Sequence, residues 1–406
     1  IVGQTKAEKK KLKVDVNSQG LTESEYNMAN KGKKKPKKKR TPEEEEAIRK
    51  LNELKKQRKT MISILRSVSI RIPMLIYGMD IDIDKDVNIK KFVNMVDDKS
   101  WVEFMPKGVT KELFKKFIKY YDPEVFIEAG RIIRRRVKAL DSLDPMERVE
   151  KIAEIFSTFR NVDKETVLTP WRVVNMHMGK TIGGYSFYDD NYNNTTVEGK
   201  NAAHWVNTEY TDRIFRIADP QNNNVRILEI NSKTGLYPLY ATMSLYYREY
   251  LKMVDESAGK FSLEDERKIW QKILRENIFV VAKTEMAKTI TQRTLSGYLD
   301  MDTNVEFVDN IVEDAKEDVG KEAEKIEGVF GGMKFDVVIG NPPYQDKTKG
   351  KQEKYAPPIY NEFMDLSYKL ADIVTLITPA RFLFDAGSTP KSWNRKMLDD
   401  EHFKVI

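Results

Sequence analysis

The stretch FDVVIGNPPY, residues 335–344, decides the fold of this chain. Its first six residues are mostly apolar and β-branched, which is typical of a strand buried in a parallel sheet. Two consecutive prolines then fix φ twice and remove two backbone N–H donors. The stretch therefore predicts a stiff loop at the carboxyl end of a strand, the edge at which open α/β sheets bind their ligands.

The loop itself combines hydrogen-bond acceptors with an aromatic ring. Asn341 offers an amide oxygen, Pro342 offers a carbonyl oxygen, and Tyr344 offers a flat π-face, with Pro343 stiffening the chain between them. Two acceptors beside a stacking surface suit an exocyclic amino group on a planar base. For these four residues alone, the alternative is a βα turn with a proline-rich cap.

Composition excludes several classes of protein. The chain has 406 residues, 40% of them hydrophobic, which is enough for two or three domains with a sizeable core. It has no cysteine, so disulfides, thiolate metal sites and a cysteine nucleophile are excluded, and its three histidines are too scattered to predict a metal site. We expect a cytoplasmic protein, because no apolar stretch approaches the roughly 18 residues that span a bilayer and the amino end is no signal peptide.

The net charge of +7 comes from one end of the chain. Residues 1–40 carry 13 Lys or Arg and 4 Asp or Glu, which leaves 57 basic and 59 acidic side chains for the rest. Such a run buries too little apolar area to order itself, so we expect a basic flexible linker at 1–40; phosphate screening and a nuclear address stay open as roles. Since the chain begins without Met and residues 403–406 predict the start of a strand, both ends are expected to be cut.

Residues 41–160 predict a mainly helical domain. A helix is expected to start at Thr41-Pro42, where a cap, a first-turn proline and four glutamates coincide, and to stop before Pro73. Apolar residues at helical spacing continue from 110 to 160, and Arg134-Arg135-Arg136 within them either contact phosphates or form a solvated face.

Four aspartates alternate between positions 80 and 86. They do not fit a calcium loop, because Lys85 and Lys91 occupy the positions where that loop needs glycine and a bidentate glutamate. The alternation of apolar residues among them predicts a short strand through residues 81–83 instead.

Residues 161–406 alternate between strand and helix patterns, which predicts a parallel sheet. We expect strands at 225–230, 278–282, 305–308, 335–339, 373–378 and 403–406. We expect helices at 236–254, 263–275, 284–297 and 357–370, and an asparagine-rich loop at 189–201. The predicted fold class is therefore α/β, a doubly wound sheet that is incomplete at its carboxyl end and follows a mainly helical domain.

Polar residues follow the first and third of these strands. Glu229 lies near the end of the first strand, and the loop after it reaches Gly235 at the start of a helix. A doubly wound sheet receives a nucleoside-like cofactor in this way, although Gly235 alone also fits a tight turn. Asp309 follows the third strand, where it either accepts from an adenine amino group or caps a helix.

Taken in order, these segments resemble the gamma-class N6-adenine DNA methyltransferases. The stretch 169–176 (TPWRVVNM) is similar to motif X of that family, 229–235 to motif I, Asp309 to motif III and 341–344 to motif IV, and 377–383 resembles the segment after the next strand. The order X, I, IV is that of the gamma class. The likeness extends over residues 41–406 and is greatest to methyltransferases of single-chain restriction–modification enzymes with an upstream helicase-type motor, whose helical connector resembles residues 41–160.

The resemblance implies a partial Rossmann-like methyltransferase domain at 161–406 that uses S-adenosylmethionine. In that family, the positions of Thr169 and Pro170 line the methionine end of the cofactor. The positions of Glu229, Asn231 and Gly235 form the bed beneath it.

The family's pattern assigns two further positions, and the chain departs from it at a third. Asp309 would hold the adenine of the cofactor. The family places an acid for the ribose hydroxyls after the second strand, but residues 280–283 offer none, and Glu285 is the nearest candidate. Lys233 stands where motif I usually has glycine, so a less open loop is expected.

The resemblance also implies the reaction. A target adenine in double-stranded DNA would be flipped out and stacked on Tyr344, while Asn341 and the Pro342 carbonyl accept its amino protons. Methyl transfer would then be direct, by positioning and electrostatics without a metal. Covalently linked motor, nuclease and target-recognition domains would lie outside this chain. Two other hypotheses remain: methylation of RNA or of a protein glutamine, and a non-catalytic coupling fragment of a restriction translocase.

Overall fold

The computed structural model describes residues 41–159, 168–193, 196–197, 200–215, 224–257, 259–345, 356–386 and 388–404. The linker expected at 1–40 and the last two residues of the strand expected at 403–406 lie outside this part of the chain. The chain divides into two compact units, Ile1–Ser63 and Ile64–Ile406. The domain boundaries expected at 40 and 160 stay predictions.

The amino-terminal part of the described chain is helical, as the sequence predicts. The first helix begins with reciprocal hydrogen bonds: the Thr41 N–H donates to Glu44 Oε2 (3.0 Å) and the Glu44 N–H donates to Thr41 Oγ1 (3.3 Å). The helices are α1 (Pro42–Ser69), α2 (Ile72–Gly78), α3 (Ile89–Met95), α4 (Asp98–Phe104), α5 (Lys111–Lys115), α6 (Pro123–Ala139) and α7 (Pro145–Thr158).

The expected strand at residues 81–83 is wrong, since this segment forms a turn. The turn is held by Arg134, which is buried and donates from Nη1 to the Asp82 carbonyl oxygen at 3.0 Å. Arg134 is thus a structural group of α6, whereas Arg135 and Arg136 are exposed.

Among the described residues, one helical stretch, Pro42–Gly78, is long and apolar enough to cross a membrane by length and composition alone. The expectation that no stretch approaches this length is therefore wrong. Its most apolar window, with a mean hydropathy of 1.3, is 44% buried inside the protein. The stretch is interrupted between α1 and α2, and Leu75 and Tyr77 of α2 are fully buried in the core. Helix α2, at the carboxyl end of this stretch, is thus part of the protein core.

A small antiparallel region precedes the main sheet. It contains α8 (Trp171–Thr181), β1 (Gly184–Ser186), β2 (Thr196–Val197), β3 (Lys200–Asn201), β4 (His204–Val206) and α9 (Thr211–Ile214). β1 pairs with β4 and β2 pairs with β3. The loop expected at 189–201 is therefore partly wrong, because two short strands lie within it.

The main sheet has five parallel strands in the order β7-β6-β5-β8-β9. They are β5 (Ile227–Ser232), β6 (Ile278–Ala282), β7 (Asn304–Phe307), β8 (Phe335–Gly340) and β9 (Ala371–Leu376). Each lies where a strand is predicted, whereas residues 403–404 are not in a strand. The chain extends from β5 to one edge and from β8 to the other, so the crevice between β5 and β8 is the switch point at which such sheets bind ligands.

Helices cover both faces of this sheet. Val280 and Val337 belong to one buried cluster with residues of the α10 and α12 helices, whereas Val281 and Val338 belong to a second cluster with residues of α13 to α15. These helices are α10 (Leu236–Ser257), α11 (Leu263–Glu276), α12 (Glu285–Ser296), α13 (Ile311–Glu317), α14 (Val319–Val329), α15 (Tyr360–Leu370) and α16 (Lys391–Leu398). The predicted Rossmann-like α/β fold after a helical part is confirmed.

The helical segment 64–159 packs on the face formed by α10 and α12. The Tyr77 hydroxyl of α2 donates to Thr294 Oγ1 at 3.1 Å. The buried guanidinium of Arg148 in α7 donates to the carbonyl oxygens of Thr294 (3.2 Å) and Leu295 (3.0 Å). In the same segment, α4 reaches the carboxyl ends of the sheet strands, where Ser100 Oγ accepts from the Met286 N–H at 3.0 Å.

Candidate active site

The segments that resemble motifs X and IV, residues 169–176 and 341–344, meet at the end of β8. Asn341 directly follows β8, and its Nδ2 donates to Thr169 Oγ1 at 3.0 Å across 172 positions of sequence. Pro170, the next residue, is exposed and forms the N-cap of α8. The start of α8 and the loop after β8 are thus joined at the switch point of the sheet.

Backbone pairing fixes the far side of the loop. The Ile359 N–H donates to the Tyr344 carbonyl oxygen at 3.1 Å, and Gln345 forms a bridge with Pro358. Within the loop, Pro342 is buried and Pro343 is half-buried. The Tyr344 side chain remains 39% exposed, so its ring is accessible from the solvent side.

A buried carboxyl group lies directly beneath this loop. Glu229 of β5 is 6% exposed, and its Cγ is 3.7 Å from the point where Gly340 would carry a Cβ. Burial raises the pKa of Glu229 to about 8, although a hydrogen bond with the Ser232 side chain opposes the shift. Glu229 Oε2 is buried without a hydrogen-bond partner, which is unfavourable for a polar atom unless a ligand supplies one.

The loop after β5 adopts two backbone conformations that favour special residues. Asn231 is buried with φ 63°, at an irregularity in the pairing of β5 with β6, and its Nδ2 has no partner. Gly235 has φ 74°, and a Cβ on it would lie 2.9 Å from Thr291 Cγ2 of α12. Glycine is therefore favoured at this position by its positive φ and by the close packing of α12.

Sequence analysis missed a buried polar network at this site. The Tyr237 hydroxyl lies 2.8 Å from His177 Nδ1, and the other ring nitrogen, Nε2, lies 2.8 Å from Thr375 Oγ1. Burial lowers the pKa of His177 to about 4, so the ring is neutral at pH 7. Burial, then the proximity of Glu229 and Tyr344, raises the pKa of Tyr237. Tyr237 therefore interacts electrostatically with both Glu229 and Tyr344.

The acid after β7 is engaged by the helical segment. The carboxylate of Asp309 forms an ion pair with Lys99 of α4, and this hydrogen bond lowers the pKa of Asp309. Its Oδ1 also accepts from the Asn310 N–H at 2.9 Å. Asp309 therefore stays ionised at the carboxyl edge of the sheet, with β6 and β5 lying between its strand and β8.

The remaining predicted residue, Glu285, is exposed at the first position of α12. The space beside it holds a different acid, Glu103 of α4, which pairs with Lys233 (3.0 Å) and Lys283 (2.7 Å). Glu103 carries no sequence motif, so only its long-range contacts reveal it. No group of three or more His, Asp or Glu side chains within the described ranges is arranged to hold a metal ion.

The strand order, with ligand-facing groups at the β5/β8 switch point, defines a Rossmann-like methyltransferase fold. Residues 276–406 match the model of the protein family described as Eco57I restriction-modification methylase. The match extends from the end of α11 to the last residue and includes the Asn341 loop. The resemblance to a restriction–modification methylase is thereby confirmed, and a DNA methyltransferase role is supported.

Two solved structures are similar to the chain in outline. One is an ATP-dependent Type ISP restriction-modification enzyme, LlaBIII, bound to DNA, with 14% identity, a TM-score of 0.35, and coverage of 80% of this chain and 24% of that one. The other is a nuclease-deletion mutant of the Type ISP enzyme LlaGI in complex with a DNA substrate mimic, with 15% identity, a TM-score of 0.34, and coverage of 77% and 28%. The chain thus spans about a quarter of their length. Similarity at this level assigns no role to individual residues.

A comparison with curated proteins gave no match.

Proposed function

We propose that the chain is the core of a site-specific DNA methyltransferase, which transfers a methyl group from S-adenosylmethionine to the N6 amino group of a flipped adenine. The observation that carries this proposal is the hydrogen bond between Asn341 and Thr169 above the buried carboxyl group of Glu229. It joins a rigid acceptor loop to a buried carboxyl group at the ligand edge of the sheet. The proposed setting is a cytoplasmic restriction–modification system.

The groups around β5 fit the methionine end of the cofactor. Glu229 Oε2 needs a hydrogen-bond donor and Asn231 Nδ2 needs an acceptor, since both are buried without partners. An amino acid zwitterion would suit both atoms: its ammonium group would donate to Glu229 and favour the ionised carboxylate, and its carboxylate would accept from Asn231. Thr169, Pro170 and Gly235 would line the same end.

The nucleoside end would lie along the edge toward β7. Asp309 is ionised and would accept from the adenine amino group of the cofactor, and Glu285 is the assigned partner of the ribose hydroxyls. When bound, S-adenosylmethionine supplies an electrophilic methyl group on a sulfonium centre.

The chain positions the base that receives this methyl group. Asn341 donates through Nδ2 to Thr169, which directs its Oδ1 away from that hydroxyl and makes it available as an acceptor. Asn341 Oδ1 and the Pro342 carbonyl would accept the two amino protons and draw the nitrogen lone pair out of ring conjugation. Tyr344 would stack on the base, and Pro343 limits the motion of the loop.

The chain is proposed to act within a larger protein. Residues 1–40 would serve as a linker, 41–160 as a helical connector, and 161–406 as the methyltransferase domain. A motor, a nuclease and a target-recognition domain, covalently linked, are the proposed partners along with double-stranded DNA.

The experiment is a competition between substrates. The 406-residue chain is incubated with S-adenosylmethionine carrying a labelled methyl group and an equimolar mixture of duplex DNA, RNA and a glutamine-containing peptide. We expect label in DNA alone, recovered as N6-methyladenine after hydrolysis to nucleosides. Label in RNA or peptide would overturn the proposal in favour of another amino or amide substrate. Failure to bind either the cofactor or DNA would overturn it in favour of a non-catalytic coupling fragment.

A further inference from the structure

Helix α4 contacts the carboxyl ends of three neighbouring sheet strands. Ser100 Oγ accepts from the Met286 N–H at 3.0 Å, just after β6. Lys99 pairs with Asp309 after β7, and Glu103 pairs with Lys233 after β5 and Lys283 after β6. A single short helix of the connector is thus fastened along the edge at which the sheet binds its ligands.

The position of α4 is well fixed. Asp97 caps it by accepting from the Ser100 N–H at 2.8 Å. Trp101 and Phe104 are buried, and the Trp101 indole donates to the Val109 carbonyl oxygen at 2.7 Å. Glu103 is therefore presented to the sheet from a rigid support rather than from a loop.

Glu103 forms a partly buried cluster with its two lysines. The side chains of Glu103, Lys233 and Lys283 are 16%, 18% and 25% exposed. Burial alone would raise the pKa of Glu103, but the attraction of the two ammonium groups outweighs burial and lowers this pKa to about 2. Glu103 is therefore ionised at neutral pH, and its single carboxylate faces two lysine side chains.

Both lysines belong to the loop region proposed to hold the cofactor. Lys233 lies between Asn231 and Gly235, and the Lys283 N–H donates to the Ser232 carbonyl oxygen at 2.9 Å. S-Adenosylmethionine carries a sulfonium and an ammonium group against one carboxylate, so its net charge is positive. Lysine side chains released into this region would repel such a ligand.

We propose that Glu103 is a positioning residue of the cofactor site, which draws Lys233 and Lys283 toward α4 and offsets their charge so that a cationic cofactor can bind. This inference rests on the proposed function, because it presumes S-adenosylmethionine as the ligand. It makes the helical connector part of the cofactor site. It also explains how a lysine is accommodated at a position where the resemblance leads us to expect glycine.

The test compares two ligands that differ in charge at the reacting sulfur. S-Adenosylmethionine has a sulfonium there, whereas S-adenosylhomocysteine has a neutral thioether and no net charge. Dissociation constants for both are measured by calorimetry on the full chain. In Glu103→Gln, the loss of one negative charge is expected to weaken S-adenosylmethionine roughly tenfold and S-adenosylhomocysteine much less. A purely structural role would weaken the two ligands alike.

Two further variants give effects of predictable sign. Lys283→Gln removes one positive charge, so the preference for S-adenosylmethionine over S-adenosylhomocysteine should increase relative to the wild type. Adding Lys233→Met to Glu103→Gln should restore much of the affinity for S-adenosylmethionine. The matched control is Glu154→Gln, which removes an exposed ion pair with Lys151 on α7 and should leave both affinities unchanged.

The outcomes separate this inference from the proposed function. If the wild type binds neither ligand, the proposed function is wrong. Suppose instead that the wild type binds both ligands. If the ratio of the two dissociation constants is then unchanged in Glu103→Gln and in Lys283→Gln, the proposed role of Glu103 is wrong, while the proposed function stands. Lys283→Gln keeps the Glu103–Lys233 contact. If Glu103→Gln does not fold, the ratio of dissociation constants in Lys283→Gln alone tests the inference.

Discussion

Asn341 Nδ2 donates to Thr169 Oγ1 at 3.0 Å, although 172 positions separate the two residues. The bond joins the segment before α8 to the loop after β8. It uses the amide nitrogen of Asn341, so the amide oxygen is left for its proposed role as an acceptor. The orientation of the proposed catalytic amide therefore depends on a hydroxyl group from a distant segment.

Removing that hydroxyl group should slow catalysis more than it destabilises the fold. In Thr169→Val, the rate of methyl transfer is expected to fall roughly ten- to hundredfold, because a misoriented acceptor loses its alignment with the base. The free energy of unfolding should change by only about 1 kcal/mol. Single-turnover assays and urea unfolding measure the two effects.

Thr169→Ser keeps the hydroxyl group and should retain most of the activity. Thr158→Val removes a hydroxyl group on the exposed end of α7 and serves as the matched control. Equal rates for Thr169→Val and Thr158→Val would show that the hydrogen bond has no catalytic role.

The aromatic ring of Tyr344 should matter more than its hydroxyl group. Stacking of a base on an aromatic side chain is worth about 1–3 kcal/mol, so Tyr344→Ala should lower kcat/KM for DNA by roughly 5- to 150-fold. Tyr344→Phe keeps the ring and should stay within a fewfold of the wild type. Similar losses in the two variants would contradict a stacking role.

The buried carboxyl group of Glu229 should make stability depend on pH. Its pKa is about 8 in the folded protein and 4.5 in the absence of burial. Between these values the folded state holds a proton that the unfolded state releases, so the free energy of unfolding falls as the pH rises from about 4.5 to about 8. Glu229→Gln cannot titrate, so the decline of stability with pH should be smaller in this variant.

Urea unfolding at several pH values within that window checks this expectation in the absence of cofactor. Glu154→Gln, at an exposed position, should keep the slope of the wild type. A wild-type slope in Glu229→Gln would show that Glu229 is not the titrating group.

Close packing and positive φ at Gly235 should make separate contributions to the free energy of unfolding. A Cβ at Gly235 meets Thr291 Cγ2 at 2.9 Å, whereas Gly332, which has φ 77°, has no atom within 4 Å of the same point. Both alanine variants carry backbone strain of about 1–3 kcal/mol. Gly235→Ala should lose a further ~1–3 kcal/mol of unfolding free energy through overpacking. Equal losses would show that the loop can yield to α12.

Local patterns predicted most of the sheet. The β6 strand matches its predicted bounds, and β8 extends one residue further than predicted. Runs of buried β-branched residues flanked by turn residues strongly favour a strand. The β9 strand begins two residues before its predicted start, since α15 ends directly at Leu370 without an intervening turn. The strand pattern also predicted that the loops after β5, β7 and β8 lie at the carboxyl edge of the sheet.

The patterns failed where distant contacts decide the structure. Residues 81–83 alternate like a strand, but the buried Arg134 of α6 holds the Asp82 carbonyl in a turn. Glu103 resembles any helical glutamate until α4 places it between two lysines of the sheet. His177 likewise has no neighbours in sequence that explain its burial. Such contacts join residues separated by 50 or more positions, so periodicity and spacing in the sequence do not reveal them.

The assignment of the Asn341 loop as the catalytic site is tested most directly by measuring methyl transfer to duplex DNA by Asn341→Ala. The comparison is with Asn191→Ala, which removes an exposed amide after β1, and binding of S-adenosylmethionine is measured in parallel. We predict that Asn341→Ala binds the cofactor but yields no N6-methyladenine, whereas Asn191→Ala yields as much as the wild type. Formation of N6-methyladenine by Asn341→Ala at the wild-type rate would contradict the assignment of this loop as the catalytic site.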